Sequence, residues 1–294
     1  KGPEAGLRAA RAAYVGGCAG TSNVLAGFRW GIPLAGTAAH SWTQAFPGER
    51  ESFEALLKTF RESAFLLLDT YDTLAAAEMA AGLGVPVAGV RLDGGDLLRL
   101  SCGVREIFDR HGLPKTRIMA SGDLNEYKVE DLVVAGAPID LFGVGTELAT
   151  SHDAPSLNVV YKLVEIEEGG HVHYKTKVGG AKSYPPGRKQ VYRFTEHDRF
   201  HHDVLSRSGE VYAGAQPLLE PVMKGGRRTA QVRTVEEVQV HALEQLKRLP
   251  EELKVLEGAP EYLVEESVAL RELSDQVRRD LHSSRWDAAS TRSD

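Results

Sequence analysis

The stretch Ala64-Phe-Leu-Leu-Leu-Asp69, followed by the alanine-rich segment Leu74–Ala81, decides the fold class of this 294-residue chain. The first segment is a short apolar run that ends in a carboxylate, a pattern that is typical of a buried strand. The second segment has a helical composition and is followed by Gly82 and Gly84, a residue type that commonly ends helices. A strand followed directly by a helix is the unit from which parallel α/β sheets are built.

The same unit recurs through the first half of the chain. Further strands are predicted at Val85–Leu92, Thr116–Ala120 and Ile139–Val144. A helix at 96–110 separates the first two of these strands, and a helix that ends at residue 135 separates the last two. Two more helices, at 3–14 and 49–63, are predicted before the first strand of the chain. Consecutive parallel strands are joined by right-handed crossovers. This order therefore predicts either an open α/β sheet or a barrel.

The pattern changes after residue 155. Four strands separated by glycine and proline turns are predicted at Asn158–Ile166, His171–Val178, Lys189–Thr195 and Gln216–Val222, followed by charged helices at Thr234–Leu256 and Ser267–Ser283. We therefore divide the chain into an α/β core at 1–155, a β-rich domain at 156–225 and a C-terminal helical segment at 226–294. The last residues of that segment are expected to fray.

The composition restricts the classes of partner. With 42% hydrophobic residues and a net charge of -6, the chain can bury a core but offers no broad basic surface for nucleic acid or anionic membrane. No apolar run approaches the roughly 20 residues that a membrane-spanning helix needs. Cys18 and Cys102 match no metal-ligand spacing, which favours reduced thiols and a cytoplasmic location.

Small and charged residues follow every predicted strand of the first half. They are Asp69 after the first strand, Arg91, Asp93 and Asp96 after the second, Gly122 and Asp123 after the third, and Gly143, Gly145 and Thr146 after the fourth. Ligands of parallel α/β proteins bind at the carboxyl ends of strands. We therefore expect these groups to converge on one site.

The chemistry of these residue types is coherent. Glycines followed by a threonine expose backbone N–H groups that bind phosphate oxygens. Carboxylates such as Asp93, Asp96 and Asp123 accept ribose hydroxyls, hold Mg²⁺ or stabilise positive charge on a sugar ring. The planar guanidinium of Arg91 suits a carboxylate or a flat ring. Any one of these residues could simply make a turn or cap a helix, but their occurrence after four successive strands favours a ligand-binding site.

A histidine follows a fifth short apolar run. The segment Ile32-Pro-Leu-Ala-Gly-Thr37-Ala-Ala-His40 places Thr37 in a Gly-Thr turn and His40 at the predicted start of a helix. A neutral imidazole is a competent nucleophile at physiological pH, although a lone histidine is more often structural. A metal site at His171, His173, His201 and His202 is disfavoured because no cysteine or suitably spaced carboxylate completes it.

Several of these strings resemble one enzyme family. They are Gly20-Thr-Ser-Asn23, Gly36-Thr-Ala-Ala-His-Ser-Trp42, Leu67-Leu-Asp-Thr-Tyr-Asp-Thr73, Gly89-Val-Arg-Leu-Asp93, Ala120-Ser-Gly-Asp123, Phe142-Gly-Val-Gly-Thr146, Ser156–Leu163 and Pro186–Tyr192. In this order, over about residues 3–225, they resemble nicotinate phosphoribosyltransferases. The resemblance implies an irregular TIM-like α/β barrel of parallel strands beside a β-rich domain, with C-terminal helices.

The resemblance also implies a reaction. The family transfers phosphoribosyl from phosphoribosyl pyrophosphate (PRPP) to nicotinate in NAD biosynthesis, coupled to ATP hydrolysis through a phosphohistidine. Mg²⁺ is the implied cofactor, expected near Asp93 and Asp96. By motif, His40 resembles the phosphorylated histidine and Asp93 a second catalytic residue, while Thr37 and Arg91 resemble nicotinate contacts. Asp93, Gly122, Asp123, Gly143, Gly145 and Thr146 resemble the set that binds PRPP.

Ser22 bears on the choice of substrate. The related nicotinamide phosphoribosyltransferases carry an aspartate at this place, which accepts from the amide and would repel a carboxylate. A serine hydroxyl can instead donate to nicotinate, which favours the acid. The alternative is that Ser22 only caps a turn.

The chain also departs from the family pattern. Gly94 stands where the family usually has serine, and the family's N-terminal domain, with an aromatic that reaches a site shared between subunits of a homodimer, has no counterpart in this sequence. Two alternatives therefore stay open. The first is a non-catalytic remnant, and the second is a sister transferase that uses nicotinamide or quinolinate.

Overall fold

The computed structural model describes residues 2–157, 159–178 and 183–290. Two predictions reach beyond these ranges, because the strand Asn158–Ile166 begins outside them and the expected frayed tail ends outside them, at 291–294. The chain divides into two compact units, Lys1–Leu157 with Arg233–Leu243 and Asn158–Val232 with Glu244–Asp294. The three-part division made from the sequence stays a prediction.

The first unit begins with four helices and then alternates strands with helices. In chain order its elements are α1 (Pro3–Val15), α2 (Val24–Trp30), α3 (His40–Gln44), α4 (Glu49–Phe60), β1 (Phe65–Leu67), α5 (Thr73–Ala81), β2 (Gly89–Leu92), α6 (Leu97–Arg110), β3 (Arg117–Ala120), α7 (Glu126–Val134), β4 (Leu141–Phe142) and α8 (Thr146–Thr150). The predicted strands lie at these places but are shorter than predicted.

The four strands form one parallel sheet in the order β1-β2-β3-β4. Strand order that follows chain order places successive right-handed crossover helices on the same face of the sheet. The predicted parallel α/β architecture is therefore confirmed. Closure of this sheet into a barrel stays a prediction.

The crossover helices begin at capping side chains. Asp72, Asp96 and Asn125 each accept a hydrogen bond from the backbone N–H three residues ahead, at 2.9 to 3.0 Å. Such caps satisfy a helix N–H that has no partner within the helix. The helices therefore start close to the carboxyl ends of the strands, and the loops between strand and helix are short.

One hydrophobic cluster joins the sheet to its helices. Its fully buried members include Leu66 on β1 and Leu68 just after it, Val90 and Leu92 on β2, Ile118 on β3, Ala76, Ala77 and Ala80 on α5, and Val104 and Phe108 on α6. Full burial of each valine, leucine, isoleucine or phenylalanine side chain stabilises a fold by roughly 1.5–3 kcal/mol. This core fixes the strand ends on which the candidate site is built.

The second unit is rich in antiparallel strands. Its strands are β5 (Glu165–Glu168), β6 (His171–Tyr174), β7 (Lys189–Glu196), β8 (Arg199–Arg207), β9 (Gln216–Pro217), β10 (Met223–Lys224), β11 (Arg227–Arg228) and β12 (Val264–Glu266). The main sheet has the order β12-β8-β7-β9, in which β12 runs parallel to β8, and β5-β6 and β10-β11 are separate hairpins.

Two helices complete the described chain. Helix α9 (Val235–Arg248) contributes residues to both units, and α10 (Val268–Ser290) belongs to the second. The predicted helix 234–256 is too long, because Pro250 disfavours helical geometry at the residue before it. Within the described part of the chain, no helix combines the length and apolarity needed to cross a bilayer.

Candidate active site

Arg91 lies at the centre of a cluster of polar side chains at the carboxyl end of β2. Its Nε donates to Ser121 Oγ at 2.8 Å, and its Nη1 donates to Thr37 Oγ1 at 2.6 Å and to the Ala38 carbonyl at 3.2 Å. Its Nη2 contacts Asp93 Oδ1 at 2.6 Å. These contacts fix the guanidinium plane while leaving 20% of the side chain exposed.

Asp93 shares a face of the strand end with Arg91, because residues two apart in an extended segment point the same way. Its Oδ1 accepts from Ser121 Oγ at 2.5 Å and from Arg91, and its Oδ2 lies 3.4 Å from His40 Nε2. Burial alone raises the pKa of this carboxyl, but the Ser121 hydroxyl and the Arg91 guanidinium outweigh it and hold the pKa below its ordinary value. Asp93 is therefore a carboxylate at neutral pH.

His40 is the first residue of α3 and faces two carboxylates. Its Nε2 lies 3.4 Å from Asp93 Oδ2 and 3.9 Å from Asp69 Oδ1, and its Nδ1 lies 3.3 Å from Thr70 Oγ1. The side chain is 40% exposed, so one edge of the ring is open to a ligand. The predicted helix start at this residue is confirmed.

Asp69 lies in the cluster, as expected from its place after the first strand, and Thr70, for which the sequence analysis made no prediction, lies beside His40. Asp69 Oδ2 accepts from the backbone N–H of Asp93 at 2.8 Å, which ties the ends of β1 and β2 together. Asp69 Oδ1 is buried and has no hydrogen-bond partner among the described residues. The string Leu67–Thr73 contained the signal, since Asp69 comes two residues after the end of β1 and Asp93 comes directly after β2.

The loop after β3 requires a glycine. Gly122 has a φ of +93°, and a Cβ at this position would lie 2.1 Å from the Asp93 carbonyl oxygen. Asp123 also has a positive φ, 46°, and its carbonyl accepts from Lys128 Nζ at 2.8 Å. A Cβ on Gly143 would lie 3.3 Å from Ser121 Cβ, so the loop after β4 packs closely on the loop after β3.

Among the described residues, no hydrogen bond or ion pair joins the remaining predicted residues to this cluster. Gly145 precedes α8, Thr146 is the first residue of that helix, and Asp96 Oδ1 caps α6 by accepting from the Arg99 N–H at 3.0 Å. Ser22 is exposed in the segment before α2, where Asn23 rather than Ser22 caps the helix. Both roles considered for Ser22, a nicotinate contact and a turn cap, stay predictions.

Among the described residues, no three His, Cys, Asp or Glu side chains are arranged so that they could hold one metal ion. Both oxygens of Asp93 already face protein groups, and one oxygen of Asp96 holds the start of α6. This donor set does not fit a metal ion that the protein would hold by itself. A Mg²⁺ site near Asp93 and Asp96 stays a prediction.

A cavity of about 1030 Å³ opens at the opposite, amino ends of the strands. Val87 and Leu113 are among its apolar walls, and Lys58, Arg61 and Lys115 line it as cations. Lys58 lies in the last turn of α4 and Arg61 at its end, where a positive charge offsets the negative end of the helix dipole. The cavity contains none of the predicted site residues, and we do not assign the chemistry to it.

The cluster around Arg91 and His40 combines a fixed guanidinium, an imidazole between carboxylates and a glycine-dependent loop. These groups lie at the carboxyl edge of a parallel sheet, where α/β proteins usually bind small molecules. The guanidinium suits an anionic ligand, and the imidazole can act as a nucleophile.

Comparison with known proteins identifies the family. Residues 211–274 match the model of the nicotinate phosphoribosyltransferase C-terminal domain. A nicotinate phosphoribosyltransferase of Mycobacterium tuberculosis is 44% identical over 87% of this chain and 56% of its own length, and one of Bacillus subtilis is 42% identical over 67% of this chain and 42% of its own. The crystal structure of human nicotinic acid phosphoribosyltransferase superposes with a TM-score of 0.74 at 25% identity, over 94% of this chain and 68% of that one.

The chain belongs to the nicotinate phosphoribosyltransferase family. It spans about half the length of the curated relatives it matches. The resemblance stated from the sequence is confirmed.

Proposed function

We propose that this chain carries the reaction site of a nicotinate phosphoribosyltransferase of NAD biosynthesis. In this reaction the pyridine nitrogen of nicotinate forms a bond to ribose C1 of PRPP, pyrophosphate leaves, and nicotinate mononucleotide results. The observation that supports the proposal most is the contact set in which Arg91 meets Thr37, Ser121 and Asp93 while Asp93 faces His40. Relatives that carry the activity in their names supply the reaction type.

Arg91 and Thr37 form the proposed nicotinate site. Arg91 supplies a positive charge held in place by three side chains, so its remaining N–H surface is available to the nicotinate carboxylate or its face to the pyridine ring. Ser22 is proposed to donate to the same carboxylate. A neutral amide gains less from the guanidinium, which supports nicotinate over nicotinamide as the substrate.

The loops after β3 and β4 form the proposed PRPP site. Gly122, Asp123, Gly143, Gly145 and Thr146 lie in or next to these loops, and the glycines let the backbone approach phosphate oxygens closely. Asp93 is proposed to stabilise the positive charge that develops on the ribose ring as pyrophosphate leaves. Mg²⁺ is proposed to arrive with the phosphates of PRPP and ATP.

His40 is the proposed acceptor of the ATP γ-phosphoryl group. The Asp93 and Asp69 carboxylates near Nε2 favour the tautomer with the proton on that nitrogen, which leaves the Nδ1 lone pair as the nucleophile. In the step, the bond from nitrogen to phosphorus forms, the bond to the bridging oxygen breaks, and ADP leaves. Thr70 Oγ1, 3.3 Å from Nδ1, must turn aside for this attack.

Two wider features belong to the same proposal. The four-stranded sheet is proposed to be part of an irregular TIM-like barrel, since its strand order is that of a barrel segment. The enzyme is proposed to be a homodimer with a shared site. Nicotinate, PRPP and ATP are its proposed small-molecule partners.

The test is formation of nicotinate mononucleotide from nicotinate, PRPP, ATP and Mg²⁺, followed by chromatography. ATP should stimulate the rate, and His40→Ala should abolish that stimulation while leaving slow transfer without ATP. His111→Ala, which removes a histidine paired with Glu78 outside the site, is the matched control. An ATP-dependent rate that survives His40→Ala would remove the histidine from the mechanism.

The two alternatives predict other outcomes of the same assay. A non-catalytic chain would bind nicotinate or PRPP without turnover. A sister transferase would prefer nicotinamide or quinolinate when the three pyridines are compared side by side. Preference for the amide would contradict the roles proposed for Ser22 and Arg91.

A further inference from the structure

Ser121 connects the two strand ends that carry the candidate site. It follows β3 directly, its backbone N–H donates to the Leu92 carbonyl at 2.8 Å, and only 8% of the residue is exposed. Gly122 next to it lies against the Asp93 backbone, and Gly143 lies against its Cβ. The position of this serine is therefore set by the backbone on three sides.

The Ser121 hydroxyl uses both its donor and its acceptor capacity within the cluster. It accepts from Arg91 Nε at 2.8 Å and donates to Asp93 Oδ1 at 2.5 Å, with the Leu92 carbonyl as a more distant acceptor at 3.3 Å. A hydroxyl has one proton, which the shorter contact assigns to Asp93. Arg91 Nη2 reaches the same carboxylate oxygen, so Ser121, Arg91 and Asp93 form a closed triangle.

The triangle determines which oxygen of Asp93 faces the histidine. Because Ser121 and Arg91 both occupy Oδ1, the carboxylate turns Oδ2 towards His40 Nε2, at 3.4 Å. The same hydroxyl stops rotation of the guanidinium about its Nε bond. Among the described residues, Ser121 is thus the one side chain that contacts both the guanidinium of Arg91 at Nε and the carboxylate of Asp93 at Oδ1, while Thr37 and the Ala38 carbonyl hold Nη1 of Arg91.

We propose that Ser121 is a positioning residue that locks Arg91 and Asp93 together and so aligns the anion-binding guanidinium with the carboxylate that faces His40. This rests on the proposed function for its kinetic consequence, although not for its structural one. Arg91 and Asp93 would retain their direct contact without Ser121. Arg91 would also keep Thr37 and the Ala38 carbonyl on Nη1 but would lose the contact that holds its Nε, and Asp93 would lose the second donor to its Oδ1.

Two substitutions separate hydrogen bonding from packing. Ser121→Ala removes the hydroxyl, and Ser121→Cys keeps a side chain of similar shape but offers only a weak donor and a weak acceptor. Ser101→Ala is the matched control, because Ser101 is a buried serine of the same unit whose hydroxyl bonds the Leu98 carbonyl within α6. A hydrogen-bonding role predicts that alanine and cysteine act alike, whereas a packing role predicts that cysteine restores the wild type.

The first measurement does not depend on activity. NMR titration of the Asp93 carboxyl in ¹³C-aspartate-labelled protein should give a higher pKa in both Ser121 variants than in the wild type, because the hydrogen bond from Ser121 holds that pKa down. The Ser101→Ala variant should titrate as the wild type does. An unchanged Asp93 titration in Ser121→Ala, or a wild-type value in Ser121→Cys, would overturn the proposal.

The second measurement uses the reaction. Both Ser121 variants should lose about tenfold to a hundredfold in kcat/KM for nicotinate, the range expected for a hydrogen bond to a charged group. As the pH is lowered, the rate of both variants should begin to fall at a higher pH than the rate of the wild type does, because the pKa of Asp93 is expected to be higher in the variants. If the wild type turns over and Ser121→Ala keeps its kcat/KM and pH profile, the positioning role is wrong. If the wild type does not turn over, the proposed function fails while the NMR titration still decides the role of Ser121.

Discussion

Arg91 is the residue on which most of the candidate site converges, and its geometry cannot be reproduced by lysine. The three nitrogens of the guanidinium reach Ser121, Thr37 and Asp93 at the same time, which a single ammonium group cannot do. We expect Arg91→Lys to weaken nicotinate binding about tenfold or more in calorimetric titration. Arg50→Lys, which alters an exposed pair with Glu54, should bind nicotinate as the wild type does. Equal affinity of Arg91→Lys and the wild type would place the pyridine elsewhere.

Gly122 shows a backbone requirement that acts on the same site. A methyl group there would meet the Asp93 carbonyl at 2.1 Å in a conformation with φ of +93°, so Gly122→Ala must displace one of the two loops. We expect a loss of about 2–4 kcal/mol in the free energy of unfolding, measured in urea. Gly94→Ala is the control, since no atom lies within 4 Å of its added Cβ and its φ is not positive. A loss of equal size in both variants would contradict this explanation.

The residue scale also marks the limit of what the sequence predicts. Arg91 and Asp93 could be predicted to lie beside the residues after β1 and β3, because residues after neighbouring parallel strands lie at one edge of the sheet. Thr37 follows no strand of this sheet, and only the family resemblance placed it with Arg91. The contacts of Ser121 with both Arg91 and Asp93 could not be predicted, because they depend on the exact register of β2 and β3. The nicotinate contact of Ser22 was predicted from the family resemblance of the string Gly20-Thr-Ser-Asn23, and no described hydrogen bond joins the Ser22 side chain to the cluster.

At the scale of elements, Asp72 at the start of α5 both caps that helix and repels the carboxylate of Glu49. Asp72 caps this helix by accepting from the Ala75 N–H at 2.9 Å, and its charge adds to burial in raising the pKa of Glu49. We expect Asp72→Ala to cost about 1 kcal/mol of unfolding free energy at neutral pH. Asp72→Asn keeps an acceptor for the cap and removes the charge, so it should cost less than the alanine variant.

The pH dependence of the Asp72 variants tests the repulsion separately from the cap. A pKa that folding raises means that the folded state binds more protons, so the contribution of Glu49 to stability is lost as pH rises above its ordinary pKa of about 4.5. In Asp72→Asn this loss should be smaller, as judged by urea midpoints from pH 4 to pH 7. Parallel profiles of the wild type and Asp72→Asn would show that the two carboxyls do not interact.

The strands that could be predicted well from the sequence are those whose segments are mainly apolar. Strands β1 to β3 are nearly continuous apolar runs because the parallel sheet is covered by a core, and such runs are visible without a structure. Strand β8 was missed because its segment Arg199–Arg207 is rich in charged residues and histidine. Its polar Asp203 is buried, and its carboxylate accepts two hydrogen bonds of 2.8 and 2.7 Å from Arg193 on β7 and one of 3.0 Å from Tyr262. A pairing of this kind depends on the register of two strands.

At the scale of the whole molecule, each unit contains a group that limits its stability at one end of the pH range. In the first unit, the pKa of Asp93 is held below its ordinary value, so its contribution to stability is present above that value and is lost as pH falls. In the second unit, burial and a hydrogen bond of 3.0 Å to Asp203 raise the pKa of Tyr262 to about 12. Its neutral phenol is therefore favoured by the folded state.

Tyr262 gives the alkaline limit a specific test. Because the folded pKa lies above the ordinary value of about 10, the contribution of Tyr262 is complete below pH 10 and is lost between about pH 10 and pH 12. The thermal midpoint, followed by circular dichroism, should therefore fall more between pH 9 and pH 11 in the wild type than in Tyr262→Phe. Tyr161→Phe, at a fully exposed tyrosine, should behave as the wild type. Equal falls in the wild type and Tyr262→Phe would mean that the Arg193–Asp203 pair holds the sheet at high pH without the phenol.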